Sequence, residues 1–418
     1  MFLYKFAWTL FVVLSLPLIP FAKSWRLSER LWWRLPSVPP RRGVMWIHAL
    51  SVGEVISAKP VVKSLREQYP SKDIVLTVKT SQGMRVARKE LGSEVDLLLP
   101  MPLDFWWSVR RIADHIRPSL LILVETDIWP GLLSCMRKRG VQVILVNGRV
   151  SPRTFRSYRR FRSLSRRVLG MMELCLMQSD LDRKRLLEIG LPPEMVETVG
   201  NIKFDRDWSP MDAKEYDQWY GLLHLWPSAR VWVAGSTHDG EEEIVLETFR
   251  RLVPLFPELR LIIAPRRVDR ADDILRLGRL KGIDIVRRSD PGGKDYQTLI
   301  LDSMGELGRI YGIAEISFVG GSMVPIGGHN LLEPASFGCP VLFGEHTHNF
   351  VLMSRLLVEA GGGKRVKDAE DLFMTMKLLL SDRSRPEEMG KRAREFVGVN
   401  RGALRRVMGR IGGYIEAA

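Results

Sequence analysis

Twice along the chain, short and almost continuously apolar β-type runs alternate with amphipathic helical stretches. From Val44 onward the runs VMWIHA, DIVLTV, LLILVE and VQVILVN are of this kind, and stretches such as 59–68 and 82–91 between them carry a helical period. A strand that is apolar on both faces belongs inside a sheet covered on both sides, and strands joined through helices run parallel. The alternation therefore predicts an α/β chain with a doubly wound parallel sheet. It restarts at RVWVAGS and continues through LRLIIAPR, IDIVRR, TLILD and EISFVGG. At 418 residues the chain is long for one core, so two such domains are expected. The segment GNIKFDRDWSPMDAKEYDQW lacks a clear period and contains Pro210, which places the connection there. The expected division is 1–24 as a membrane anchor, 25–205 and 206–385 as two Rossmann-like domains, and 386–418 as C-terminal helices.

The anchor rests on an apolar run from Phe6 to Ala22, slightly short of the ~20 residues of a perpendicular span. No small-residue cleavage site follows, so a retained anchor is favoured over a cleaved signal peptide. Lys23, Arg26, Arg30, Arg34, Arg41 and Arg42 follow the run and only Lys5 precedes it, which leaves the body on the cytoplasmic side of the membrane. Pro17 and Pro20 leave spanning and in-plane placement both open. Net charge is +15, and residues 153–168 set seven arginines among Phe155, Tyr158 and Phe161. Such a segment suits an anionic lipid surface or a phosphorylated acceptor; beside the anchor, this reading is preferred to nucleic acid, which is not expected as a partner. Cys135, Cys175 and Cys339 are scattered without metal-ligand spacing and fit a reducing compartment.

Residues 318–350, FVGGSMVPIGGHNLLEPASFGCPVLFGEHTHNF, read as a buried strand, a glycine turn, a loop, a helix opening near Asn330, and a second strand. Gly320, Gly321, Gly327 and Gly328 permit close backbone approach to a ligand, and a helix N-terminus favours an anion. Glu333, one turn inside, is placed to accept ribose hydroxyls. An ordinary strand–turn–helix unit would use the same glycines for tight turns. The wording GGHNLLEPA resembles the 3-deoxy-D-manno-octulosonic acid (Kdo) transferases of lipopolysaccharide synthesis, which are GT-B glycosyltransferases. That fold has two Rossmann-like domains facing across a cleft, and its last helices cross back to the first domain, which the resemblance implies for 386–418.

Other segments resemble the same family. SVGE carries Glu54, which with Ser51 also has the spacing of a capping box; the resemblance implies the general base instead. ETDIWP carries Glu125 and VGNIKFD carries Lys203, both implied to support the transition state. Pro265 and Arg266 of APRR, Met304, Gly305 and Glu306 of DSMGELG, and Asn330, Leu331, Leu332 and Glu333 are implied to hold the cytosine nucleotide, with Gly321 and Ser322 beside them. Arg267 stands where the family pattern has histidine. The matching spans roughly 44–350. The resemblance implies an inverting transfer of Kdo from CMP-Kdo to an anionic lipid A precursor, needing one carboxylate base. No cofactor or metal is expected: the D-x-D look-alikes at 180–182 and 205–207 do not follow the nucleotide-binding strands. A GT-B sugar-nucleotide 2-epimerase, a transferase with another donor or acceptor, or a non-catalytic binding module are the alternatives.

Overall fold

The computed structural model of the protein describes residues 9, 27–32, 35, 43–125, 128–205, 211–290 and 295–416. Apart from Thr9, the apolar run expected as an anchor lies outside them. Among the described residues no helix is long and apolar enough to cross a membrane. The chain forms two compact units, Met1–Arg206 with Asn400–Ala418, and Asp207–Val399.

The first unit is built on seven parallel strands: β1 Val44–Ala49, β2 Ile74–Val78, β3 Leu97–Pro100, β4 Pro118–Val124, β5 Gln142–Gly148, β6 Leu174–Met177 and β7 Val196–Thr198. Their order is β3-β2-β1-β4-β5-β6-β7. Alternate side chains of each central strand enter two different cores. Trp46, Val75, Leu121 and Leu123 pack on one face, and Met45, Ile47, Leu120 and Ile122 on the other. This two-sided burial is why the sequence runs read as continuously apolar. Because β2 and β4 lie on opposite sides of β1, the winding reverses between β1 and β4, and the loops leaving their carboxyl ends part there.

The second unit repeats the plan with β8 Arg230–Thr237, β9 Leu259–Pro265, β10 Ile285–Arg287, β11 Thr298–Ile300, β12 Ile316–Val319, β13 Val341–Phe343 and β14 Gly363–Arg365. The order is β10-β11-β9-β8-β12-β13-β14, so its reversal falls between β8 and β12. The helix Ser384–Val399 stays with this unit, and the return to the first begins only at Asn400. That return is a helix, Ala403–Glu416, whose Val407, Met408, Ile411 and Ile415 join the core of the first unit.

Asp205 pins the returning helix: its carboxylate accepts the Gly402 and Leu404 N–H groups at 2.5 and 2.6 Å. These are helix-start donors with no intrahelical partner. Asp205→Ala is expected to cost about 1–2 kcal/mol locally, read as faster amide exchange across 403–416 with protection in the second unit unchanged.

Candidate active site

At the reversal of the first sheet, the loop after β1 leads directly into the helix Val52–Gln68. Ser51 is its N-cap by position, yet its side chain makes no cap hydrogen bond. Glu54, in the first turn and 7% exposed, accepts the Leu50 N–H instead. The reciprocal capping box is thus absent, and the carboxylate is oriented by the strand-to-helix turn itself. One helical turn further, Ser57 Oγ lies 2.9 Å from the Gly53 carbonyl oxygen and 2.9 Å from Glu125 Oε1. Residues three apart share a helix face, so Glu54 and the partner of Glu125 project from the same side.

Glu125 follows β4 with φ 65°, a conformation that an ordinary L-residue adopts only where its surroundings impose it. Its N–H bonds the Val146 carbonyl at 2.9 Å, and Lys203 Nζ is 2.7 Å from Oε1. Lys203 comes from the far edge of the sheet, in a single turn of 3-10 helix, Ile202–Asp205, after β7. A polar chain brings it inward. The Ile202 N–H donates to Asn147 Oδ1 at 3.1 Å, Gln178 Nε2 to the Asn147 carbonyl at 2.9 Å, and Asn201 Nδ2 to Gln178 Oε1 at 3.1 Å. The Lys203 N–H closes it on Asn201 Oδ1 at 3.0 Å. Asn147 is fully buried with φ 56°. On the other side of β1, the Lys79 ammonium stands 4.9 Å from the centre of the Trp129 ring. The helix behind Trp129, Pro130–Lys138, is capped by Asp104, which accepts the Gly131 and Leu132 N–H groups at 2.7 Å each. A Cβ at Gly131 would lie 2.5 Å from that carboxylate, so the glycine is required.

In the second unit, Pro265 ends β9 and Arg266 follows it, Met304–Glu306 follow β11, and residues 320–333 follow β12, all at the carboxyl edge. Arg266 is exposed and, among the described residues, has no ion-pair partner. Met304 is 77% exposed, Gly305 has φ 98°, and Glu306 accepts the Ser303 hydroxyl. The helix expected to open near Asn330 is one short turn, Leu332–Ser336. Asn330 lies just before it, its Oδ1 accepting the Leu332 N–H at 3.2 Å and its Nδ2 lying 3.3 Å from Glu333 Oε1. Leu331 and Leu332 are buried. Gly321 and Ser322 are also buried, and their N–H groups are taken by the Glu241 carboxylate at 2.7 and 2.9 Å. Across the reversal, His238 and His329 meet Nε2 to Nε2 at 2.8 Å. Burial chiefly, with the nearby Arg266 charge, lowers the pKa of both, that of His329 to about 4.

The family model for 3-deoxy-D-manno-octulosonic-acid transferase (kdotransferase) matches residues 25–206. A 3-deoxy-D-manno-octulosonic acid transferase of Haemophilus influenzae is 35% identical over 396 residues, 94% of this chain and 92% of that protein. The chain belongs to the 3-deoxy-D-manno-octulosonic acid (Kdo) transferase family. The Kdo transferase of Bordetella pertussis is 29% identical over 379 residues, 88% of this chain and 87% of that one. A solved UDP-GlcNAc 2-epimerase from Neisseria meningitidis covers 88% of this chain and 99% of its own, with TM-score 0.59 at 14% identity. Anabaena Alr3699/HepE in complex with UDP covers 90% and 100%, with TM-score 0.59 at 11%. At such identities the two structures speak for fold alone, and that fold is GT-B.

As a Kdo transferase the chain is an enzyme, a glycosyltransferase. Its structure brings Glu125 and Lys203 into direct contact and sets Glu54 on the helix face that carries their neighbour Ser57. Ser57, Asn147, Gln178 and Asn201 were not singled out from the sequence. Asn147 and Asn201 lie on the runs VQVILVN and VGNIKFD, while Ser57 and Gln178 carry no local signal. Asn147→Ala would leave the buried Ile202 N–H unpaired and release the Lys203 turn. A loss of about 1–3 kcal/mol in urea unfolding of the first unit is expected, with a lower kcat and a KM for donor nearly unchanged.

Proposed function

We propose that this Kdo transferase moves Kdo, with inversion, from CMP-Kdo to the anionic lipid A precursor at the cytoplasmic face of the inner membrane. The observation that carries the chemistry is the cluster of Glu54, Ser57, Glu125 and Lys203 at the winding reversal of the first sheet. In this reading an acceptor hydroxyl oxygen attacks the anomeric carbon. The bond from that carbon to the phosphate oxygen breaks, CMP leaves with its electron pair, and the hydroxyl proton passes to Glu54. The Leu50 N–H fixes the receiving carboxylate in place. Lys203, held by Glu125, supplies positive charge where negative charge develops. Pro265, Arg266, the 304–306 turn and residues 330–333 hold the nucleotide. Cationic side chains supply the positive charge, and no metal ion takes part.

The membrane side of the reading rests on the basic segment. It folds as two short helices, Pro152–Arg160 and Arg162–Leu169, with Phe161 56% and Leu164 58% exposed among the arginines. Exposed apolar side chains ringed by cations suit an anionic bilayer. The epimerase alternative draws only on fold likeness.

Incubation with CMP-Kdo generated in situ and a tetra-acylated lipid A precursor should give a mass gain of one or more Kdo units. Glu54→Gln should lower the rate by a factor on the order of 100–10,000 without loss of CMP binding. Chelation with EDTA should leave the rate unchanged. No product from protein that binds CMP contradicts the reading. Binding to anionic vesicles should weaken with salt, and replacing Arg159 and Arg160 by Glu should weaken it further, by about 1 kcal/mol or more per residue.

A further inference from the structure

The loop after β12 has the look of an anion nest, with the successive N–H groups of Gly321, Ser322 and Met323 turned to one side. It is already full. Glu241 is completely buried, and its two oxygens accept the N–H groups of His238 at 3.0 Å, Gly321 at 2.7 Å, Ser322 at 2.9 Å and Met323 at 2.9 Å. Four amides on one carboxylate satisfy it, and a Cβ at Gly320 would come within 2.8 Å of it. A phosphate arriving at the reversal between β8 and β12 finds these donors taken.

What stands open there is cationic or able to become so. His238, on the loop after β8, meets His329, on the loop after β12, edge to edge: the Nε2 atoms are 2.8 Å apart, the centroids 5.1 Å, and the planes 1° from parallel. A neutral pair shares one proton between the two Nε2 atoms. Among the described residues neither Nδ1 has a hydrogen-bond partner. Arg266, unpaired, acts on both rings from the end of β9. Arg270 and Glu241 act on His238, and the loop carrying His346 and His348 closes over Gly327 and Gly328 beside His329.

We infer that the phosphate of the cytidine nucleotide donor is seated on Arg266 and the His238–His329 pair, which takes up one proton as the phosphate binds. Protonation converts the pair to a single cation, in which both Nδ1–H groups become donors and the Nε2–H···Nε2 bond is kept. Arg266 opposes that charge in the empty site, and a bound phosphate cancels the opposition. The inference rests on the reading of the second unit as the nucleotide site. The free pair titrates low, with His329 near 4, and the bound pair higher. Binding therefore favours the protonated form, and affinity rises as pH falls through the bound value.

The test uses the full-length protein and cytidine 5′-(methyl phosphate), a diester whose single charge does not change with pH, beside cytidine as the probe without phosphate. Wild type should bind the diester about tenfold more tightly at pH 5.5 than at pH 8, with cytidine flat. His238→Gln and His329→Gln should each weaken the diester about tenfold at pH 5.5 and abolish its pH slope. Retained cytidine binding shows that each variant is folded. A flat diester profile in wild type, equal binding of diester and cytidine, or full diester affinity in both folded variants overturns the seat and leaves the nucleotide site standing. Failure of both probes to bind wild type overturns the site and the seat together.

Discussion

Each sheet winds outward in both directions from its first strand, β1 or β8, and the loops that part there leave backbone donors without sheet partners. In this protein carboxylates answer that need. Glu54 takes the Leu50 N–H at the first reversal, and Glu241 takes four N–H groups at the second. Both are buried and both come from the first turn of the helix that follows the central strand. The two helices nevertheless serve different ends. The Glu54 turn sets a carboxylate on the helix face whose Ser57 meets Glu125, itself paired with Lys203. The Glu241 turn closes a loop upon itself and leaves histidines and an arginine at its edge.

The Glu125–Lys203 pair carries little weight as a stabilising bridge. Its side chains are 16% and 33% exposed, and pairs of that kind contribute about 0–1 kcal/mol. Holding Glu125 at φ 65° costs on the order of 1–3 kcal/mol. The strain is maintained by the Val146 hydrogen bond and by the contacts to Ser57 and Lys203. An arrangement that costs about as much as it returns is accounted for by position: one carboxylate oxygen holds the ammonium in place, and the Asn147–Gln178–Asn201 chain holds the turn that bears it.

The sheets were legible because their signal is local. Runs such as LLILVE and RVWVAGS are apolar on both faces and became strands β4 and β8. Glu54 and Glu125 stand out in the sequence as carboxylates after strands at the carboxyl edge of the sheet, while the roles proposed for them and for Lys203 come from family wording, since spacing alone leaves Glu54 as a capping residue. What sequence did not disclose is long-range. Ser57 meets Glu125 across 68 positions and Gly321 meets Glu241 across 80. No pattern within a segment reports such a partner. For that reason Gly321 and Ser322 read as ligand contacts, although their N–H groups face inward onto a carboxylate. The helix expected to open near Asn330 begins at Leu332 and is a single turn, Leu332–Ser336, with the Asn330 Oδ1 on the Leu332 N–H.

Glu125 and Lys203 are expected to act as one unit in the transfer step. A double-mutant cycle on kcat, with Glu125→Gln, Lys203→Met and the double variant, measures it directly. Strong non-additivity is expected, the double variant being about as slow as the slower single one. Losses that multiply, each residue contributing independently, would contradict it.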